Sequence, residues 1–173
     1  MHYKANQKVW GNGDKDAQAL KELSEQIQYR FNNCLMKISC DENDRLKNFI
    51  FSSQNMKHLY KKFNDIILMD NTYRTNKYKL PLYIIAGINE NSKIFIVGFG
   101  VVRSEEAKDV DWILRELFSF LEDSPELICT DGCPTMAKVL KNVLPNTTHL
   151  VCGWHVSQNI KKHLSGLSKF PLV

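Results

Sequence analysis

Two aspartates, each closing a short apolar run, are the residues best placed to do chemistry in this chain. Asp70 follows Ile66-Ile67-Leu68-Met69, and Asp131 follows Leu127-Ile128-Cys129-Thr130 with Gly132 next. A carboxylate within or at the end of a central strand is costly unless it meets a cation, a donor or water. If the two strands are neighbours, carboxylates 61 residues apart in sequence meet at one end of a sheet. Like charges side by side repel. A hard divalent cation relieves that repulsion, and magnesium commonly takes one or two carboxylates plus substrate phosphates. The plainer alternative is that Asp131 caps the following turn or helix and Asp70 makes an Asx-turn. Residue types and spacing leave both readings open.

Other residues carry weaker signals. Cys129, Cys133, Cys152 and His155 could be assembled as a four-ligand zinc site from a Cys-x3-Cys and a Cys-x2-His pair. The favoured reading is a packed Cys-Trp-His cluster, with Cys152 and His155 near Trp154 holding a final helix against the sheet. Nothing local supports a cysteine nucleophile with an oxyanion hole. Arg74, Lys77 and Lys79, interleaved with Tyr73 and Tyr78, could touch a phosphate backbone or form a solvated loop. Glu105 and Glu106 precede a helix, where acids favour the dipole.

The elements that must position these residues follow from periodicity. Leu20, Leu23, Ile27, Phe31 and Leu35 recur at helical spacing. Residues 35–39 and 46–51, around the polar turn Asp41-Glu42-Asn43-Asp44, predict a hairpin, and 54–62 a short helix. From residue 63 apolar runs at 66–69, 82–88 and 94–102 predict three strands, the first buried on both faces. A helix over 107–121, a strand at 127–129, a helix over 135–143 behind Pro134, a strand at 149–152 and a helix over 156–167 complete the chain. Three antiparallel strands, then helix, strand, helix, strand, helix, is the connectivity of an α/β ribonuclease-H-like fold. The expectation is a mixed five-stranded sheet in the order 3-2-1-4-5, flanked by helices. Residues 1–62 form a helical and hairpin flank and 63–173 the core.

Composition bounds the rest. With 173 residues, 43% hydrophobic and 24% charged, the chain can build one real core, which excludes disordered and collagen-like classes. No apolar run approaches the ~18 residues of a membrane span. The N-terminus has no secretory pattern, and five scattered cysteines predict reduced thiols in an intracellular setting. Residues 1–131 hold all 19 acids against 18 Lys and Arg, whereas 132–173 hold five lysines and no acid. That basic stretch faces either phosphates or solvent.

The stretch DIILMDNTYRTNKYKLPL resembles the first catalytic block of the Mutator-like element (MULE) transposases. Later segments agree in order: Gly87-Ile88-Asn89, Gly98-Phe99, Ser104-Glu105-Glu106, Trp112, Thr130-Asp131-Gly132, Met136-Ala137 and Cys152-Gly153-Trp154-His155 with Asn159. The resemblance implies a ribonuclease-H-like core with an Asp-Asp-Glu triad, in which Asp70 is the first acid and Asp131 the second. It implies two divalent ions, magnesium or manganese, about 3.5–4 Å apart, driving DNA strand cleavage and transfer. Cys152 and His155 match the family's Cys-x2-His element. DNA at transposon ends, other copies of the chain and a nuclear location are implied as well, with no membrane.

The family's third acid lies well beyond the Cys-x2-His element, and here no Asp or Glu follows Asp131. The core is therefore expected to be C-terminally incomplete or a remnant, and this chain alone to cut nothing. The alternative is a domesticated, non-catalytic protein that binds DNA or protein through the same fold, as relatives among plant transcription regulators do.

Overall fold

The computed structural model describes residues 13–30, 33–72, 76 and 79–164. The apolar runs form strands. β1 (Leu35–Cys40) and β2 (Leu46–Ser52) make the hairpin, and β3 (Ile66–Thr72), β4 (Leu82–Ile88) and β5 (Ile94–Val102) make a meander. β6 (Leu127–Thr130) lies parallel to β3, and β7 (Thr148–Val151) parallel to β6.

The sheet has seven strands in the order β1-β2-β5-β4-β3-β6-β7, not the expected five. The hairpin does not stand apart from the meander. Asn48–Phe51 of β2 pairs antiparallel with Phe99–Val102 of β5, which removes an open sheet edge. Gly100 permits this join, because a Cβ there would lie 2.5 Å from the Phe49 carbonyl oxygen.

One face of the sheet is covered by α2 (Gln54–Lys62), α3 (Ala107–Leu121) and α4 (Pro134–Val143). Ile113, Leu114, Leu117 and Leu121 recur at helical spacing on α3 and are fully buried against Ile50, Ile67, Ile85 and Ile128. Each such side chain contributes roughly 1.5–3 kcal/mol by leaving water. α2 starts where the Ser53 hydroxyl accepts from the Met56 amide at 3.3 Å. Pro134 sits in the first turn of α4, where a missing N–H costs nothing.

α1 (Gly13–Arg30) ends before Leu35, which belongs to β1 opposite Ser52 and does not extend the helix. Phe31 lies outside the described residues. α5 (Gly153–Leu164) has no buried residue, and Trp154 is 64% exposed, so the expected packing of this helix against the sheet is not seen. No helix among the described residues is long and apolar enough to cross a membrane.

Candidate functional site

Asp70 stands within β3, opposite Ile84 of β4, two residues before the strand ends. Alternation turns Ile67 and Met69 into the helix-covered core and leaves Asp70 on the other side, its side chain 55% exposed. Asp131 follows the last residue of β6 directly. Its Oδ1 accepts from the Cys133 amide at 3.0 Å, which is the turn-forming role open from sequence. The two strands are registered with Ile66 opposite Leu127, Ile67 opposite Ile128 and Leu68 opposite Cys129. Asp70 and Asp131 keep the same sequence offset beyond that pairing, Asp70 still within β3 and Asp131 in the turn that follows β6. Among the described residues neither carboxylate is paired with Lys or Arg.

The turn that carries Asp131 is tightly made. Gly132 has φ +84°, in the left-handed region, and its amide donates to Thr130 Oγ1 at 3.2 Å. Thr130 Oγ1 also lies 2.8 Å from His149 Nε2 on β7. A Cβ on Gly132 would meet Val151 Cγ1 at 2.7 Å.

The corner between β7 and α5 brings an imidazole to Asp70. His155 Nε2 lies 3.7 Å from Asp70 Oδ1. That contact puts the ring at the Asp70 carboxylate, where sequence reasoning expected a purely structural residue. The ring also meets the Trp154 indole edge-to-face, with centroids 4.8 Å apart. Cys152 precedes the helix, and the polar backbone and ring of His155 beside it hold the thiol below its ordinary range. Burial, and next the neighbouring Cys152, push the Cys129 thiol up. The Cys-x2-His spacing was the available signal, since it sets both side chains on one helical turn.

Two further residues escaped sequence reasoning. Asn71 Nδ2 donates to Glu105, which draws that acid to the end of β3. The buried Tyr83 phenol is pushed far up by burial and by the Glu105 charge, against a hydrogen bond with Asn71. Lys79 is exposed, at φ +56° in the loop before β4. Arg74 and Lys77 lie outside the described residues.

Asp70 and Asp131 offer hard oxygen donors of the type magnesium and manganese accept, in the number magnesium commonly takes from protein. Among the described residues, Asp131 Oδ2 and both Asp70 oxygens are not committed to backbone amides. No group of three or more His, Cys, Asp or Glu is gathered to hold a metal among the described residues, the set Cys129, Cys133, Cys152 and His155 included.

The MULE transposase domain matches residues 66–159, which take in both aspartates and the Cys152–His155 corner. Protein FAR-RED IMPAIRED RESPONSE 1 of Arabidopsis thaliana is 28% identical over 155 residues, 89% of this chain and 19% of its own length. Protein FAR1-RELATED SEQUENCE 6 of the same plant is 23% identical over 91% of this chain and 22% of its own length. Protein FAR1-RELATED SEQUENCE 4, also from Arabidopsis thaliana, is 25% identical over 95% of this chain and 22% of its own length. The chain spans about a fifth of the length of these relatives. With its family match covering more than half of its residues, this chain belongs to the MULE transposase domain family.

Proposed function

We propose that this chain is the DNA-docking core of a transposase-derived nuclear protein, one that binds DNA as a regulator and does not cut it unaided. The observation that carries this reading is the parallel pairing of β3 with β6, beyond which Asp70 and Asp131 follow at the same offset. The likeness to plant proteins named for a far-red response supports a regulatory role. A ribonuclease-H-like architecture accounts for the meander and for the parallel pairing of β3 with β6.

In this reading the two carboxylates form the polar end of a DNA-facing groove. A bound magnesium or manganese ion would neutralise the carboxylates and a phosphodiester oxygen together. The Cys133 amide fixes Asp131 through Oδ1 and leaves Oδ2 open. His155, 3.7 Å from Asp70, would meet a phosphate bound there directly or through one water. Exposed Lys79 and Lys141, with Lys161 and Lys162 on α5, supply positive charge for the phosphate backbone. A second reading, an active transposase core completed by an acid outside these 173 residues, is favoured by the same two carboxylates.

Fluorescence anisotropy with labelled duplex DNA, with and without magnesium and across a salt series, tests the proposal. The expected result is binding that falls with salt and tightens several-fold with magnesium, the metal effect being lost in Asp70→Asn and Asp131→Asn, with no strand cleavage. Magnesium-dependent cleavage abolished by Asp131→Asn decides for the second reading. Absence of DNA binding at low salt refutes both.

A further inference from the structure

We propose that the free edge of β7 is a docking strand for an extended, acid-flanked segment of another protein, which adds to the sheet as a further strand. β7 closes the sheet order on one side and β1 on the other. An open edge offers its amides and carbonyls to any passing strand, and proteins guard such edges with lysine, proline, a bulge or a covering element. β1 has guards of this kind. It carries Lys37, its ladder slips between Ser39 and Cys40, and Ser24 of α1 donates to the Met36 carbonyl at 3.3 Å. β7 reads Thr148-His149-Leu150-Val151, with no lysine, proline or bulge, and only its shortness limits pairing.

Backbone direction decides which groups are on offer. The Thr148 amide donates to the Glu126 carbonyl at 2.9 Å and the Cys152 amide to the Thr130 carbonyl at 2.7 Å, both toward β6. Direction alternates along a strand, so the amides and carbonyls of His149 and Val151 point out of the sheet. Leu150, 47% exposed, and Val151, 49% exposed, stand on opposite faces beside those groups. A strand that pairs with His149 and Val151 covers both side chains.

Charge selects the partner. β7 is entered from α4 and left into α5, and these helices carry Lys138, Lys141, Lys161 and Lys162 with no Asp or Glu. A second copy pairing edge to edge would bring these lysines up to their own counterparts, and like charges across a contact cost affinity. A segment with Asp or Glu flanking a short β-branched core meets the opposite field and lays its apolar side chains beside Leu150 and Val151. Docking at this edge needs neither metal nor DNA, and so stands apart from the function proposed above.

The test uses the full 173-residue chain, without nucleic acid, and labelled peptides of about ten residues. One has a core of valine, threonine and isoleucine between acidic residues, another the same core between lysines, and a last one the acidic flanks with proline inside the core. Fluorescence anisotropy should show saturable, salt-weakened binding of the first, with the other two at least about ten-fold weaker. Hydrogen exchange read by NMR should show the His149 and Val151 amides slowed by the acidic peptide, while the Thr148 and Leu150 amides, already paired with β6, change little. Equal binding of the lysine-flanked or the proline peptide overturns the proposal. Failure of the acidic peptide to bind, or slowing only at amides away from β7, overturns it too. So does a chain that dimerises with the His149 and Val151 amides protected before any peptide is added, since a second copy would then hold the edge. Val151→Pro removes an outward donor and leaves the bonds to β6 in place, so it should abolish binding. Retained binding in that variant counts against the proposal, and the wild-type exchange data decide even where it fails to fold.

Discussion

Replacing Gly132 by alanine should damage both stability and the Asp131 turn. The residue has φ +84°, a conformation that costs an L-residue roughly 1–2 kcal/mol. Its new Cβ would also stand 2.7 Å from Cγ1 and 3.3 Å from Cγ2 of Val151. Valine is branched at Cβ and stiff at χ1, so it cannot swing clear without loss, and overpacking of this kind costs about 1–3 kcal/mol. The sum is roughly 2–5 kcal/mol. For a urea m-value of about 2 kcal/mol/M, the midpoint should fall by about 1–2.5 M. Far-UV circular dichroism across a urea series measures it. Val151 is about half exposed, so Val151→Ala alone should cost about 1 kcal/mol or less. The double variant should regain the steric share and keep the backbone share, about 1–2 kcal/mol. A Gly132→Ala midpoint indistinguishable from wild type would refute the reasoning, as would a double variant no more stable than the single.

Asp41 accepts from Arg45 and Arg103 at the hairpin turn; burial pushes its carboxyl up, but hydrogen bonds led by Arg45 prevail and bring it down to about 2. Its contribution is therefore complete above the ordinary carboxylate range and lost as pH falls through about 2. Asp41→Asn should lower the melting temperature at pH 7, with the gap to wild type closing between about pH 4 and 2; a constant gap across that range contradicts this assignment. Leu117→Ala, at a fully buried position on α3, should cost about 2–5 kcal/mol with an unchanged m-value. A loss below about 1 kcal/mol in chemical denaturation would show that α3 does not centre the core.

Much of the site was legible because strands and helices announce themselves by period, and because a polar residue ending an apolar run breaks that period visibly. Asp70 and Asp131 stood out for that reason, and β3 and β6 run parallel just before them. Residues that are polar yet buried were not legible. Asn48 and Ser52 look like solvent positions in the sequence. In the fold Asn48 Nδ2 donates to Asp109 at 3.2 Å and the Ser52 hydroxyl donates to the Val97 carbonyl at 2.7 Å, both buried. Those partners lie far along the chain, so no local pattern shows that the hairpin joins the sheet at β5.

The same limit applied to the helix after β7. Its spacing of apolar residues predicts a buried face, but amphipathicity states only that a face exists and not that anything covers it. Packing left that helix exposed and turned His155 toward Asp70 across 85 positions of sequence. The sequence by itself determined which segments would be strands and helices and which acids would close the apolar runs, because those are properties of neighbours along the chain. Register across strands, the seven-stranded architecture and the meeting of His155 with Asp70 were decided by tertiary structure, because each depends on how distant surfaces exclude water together.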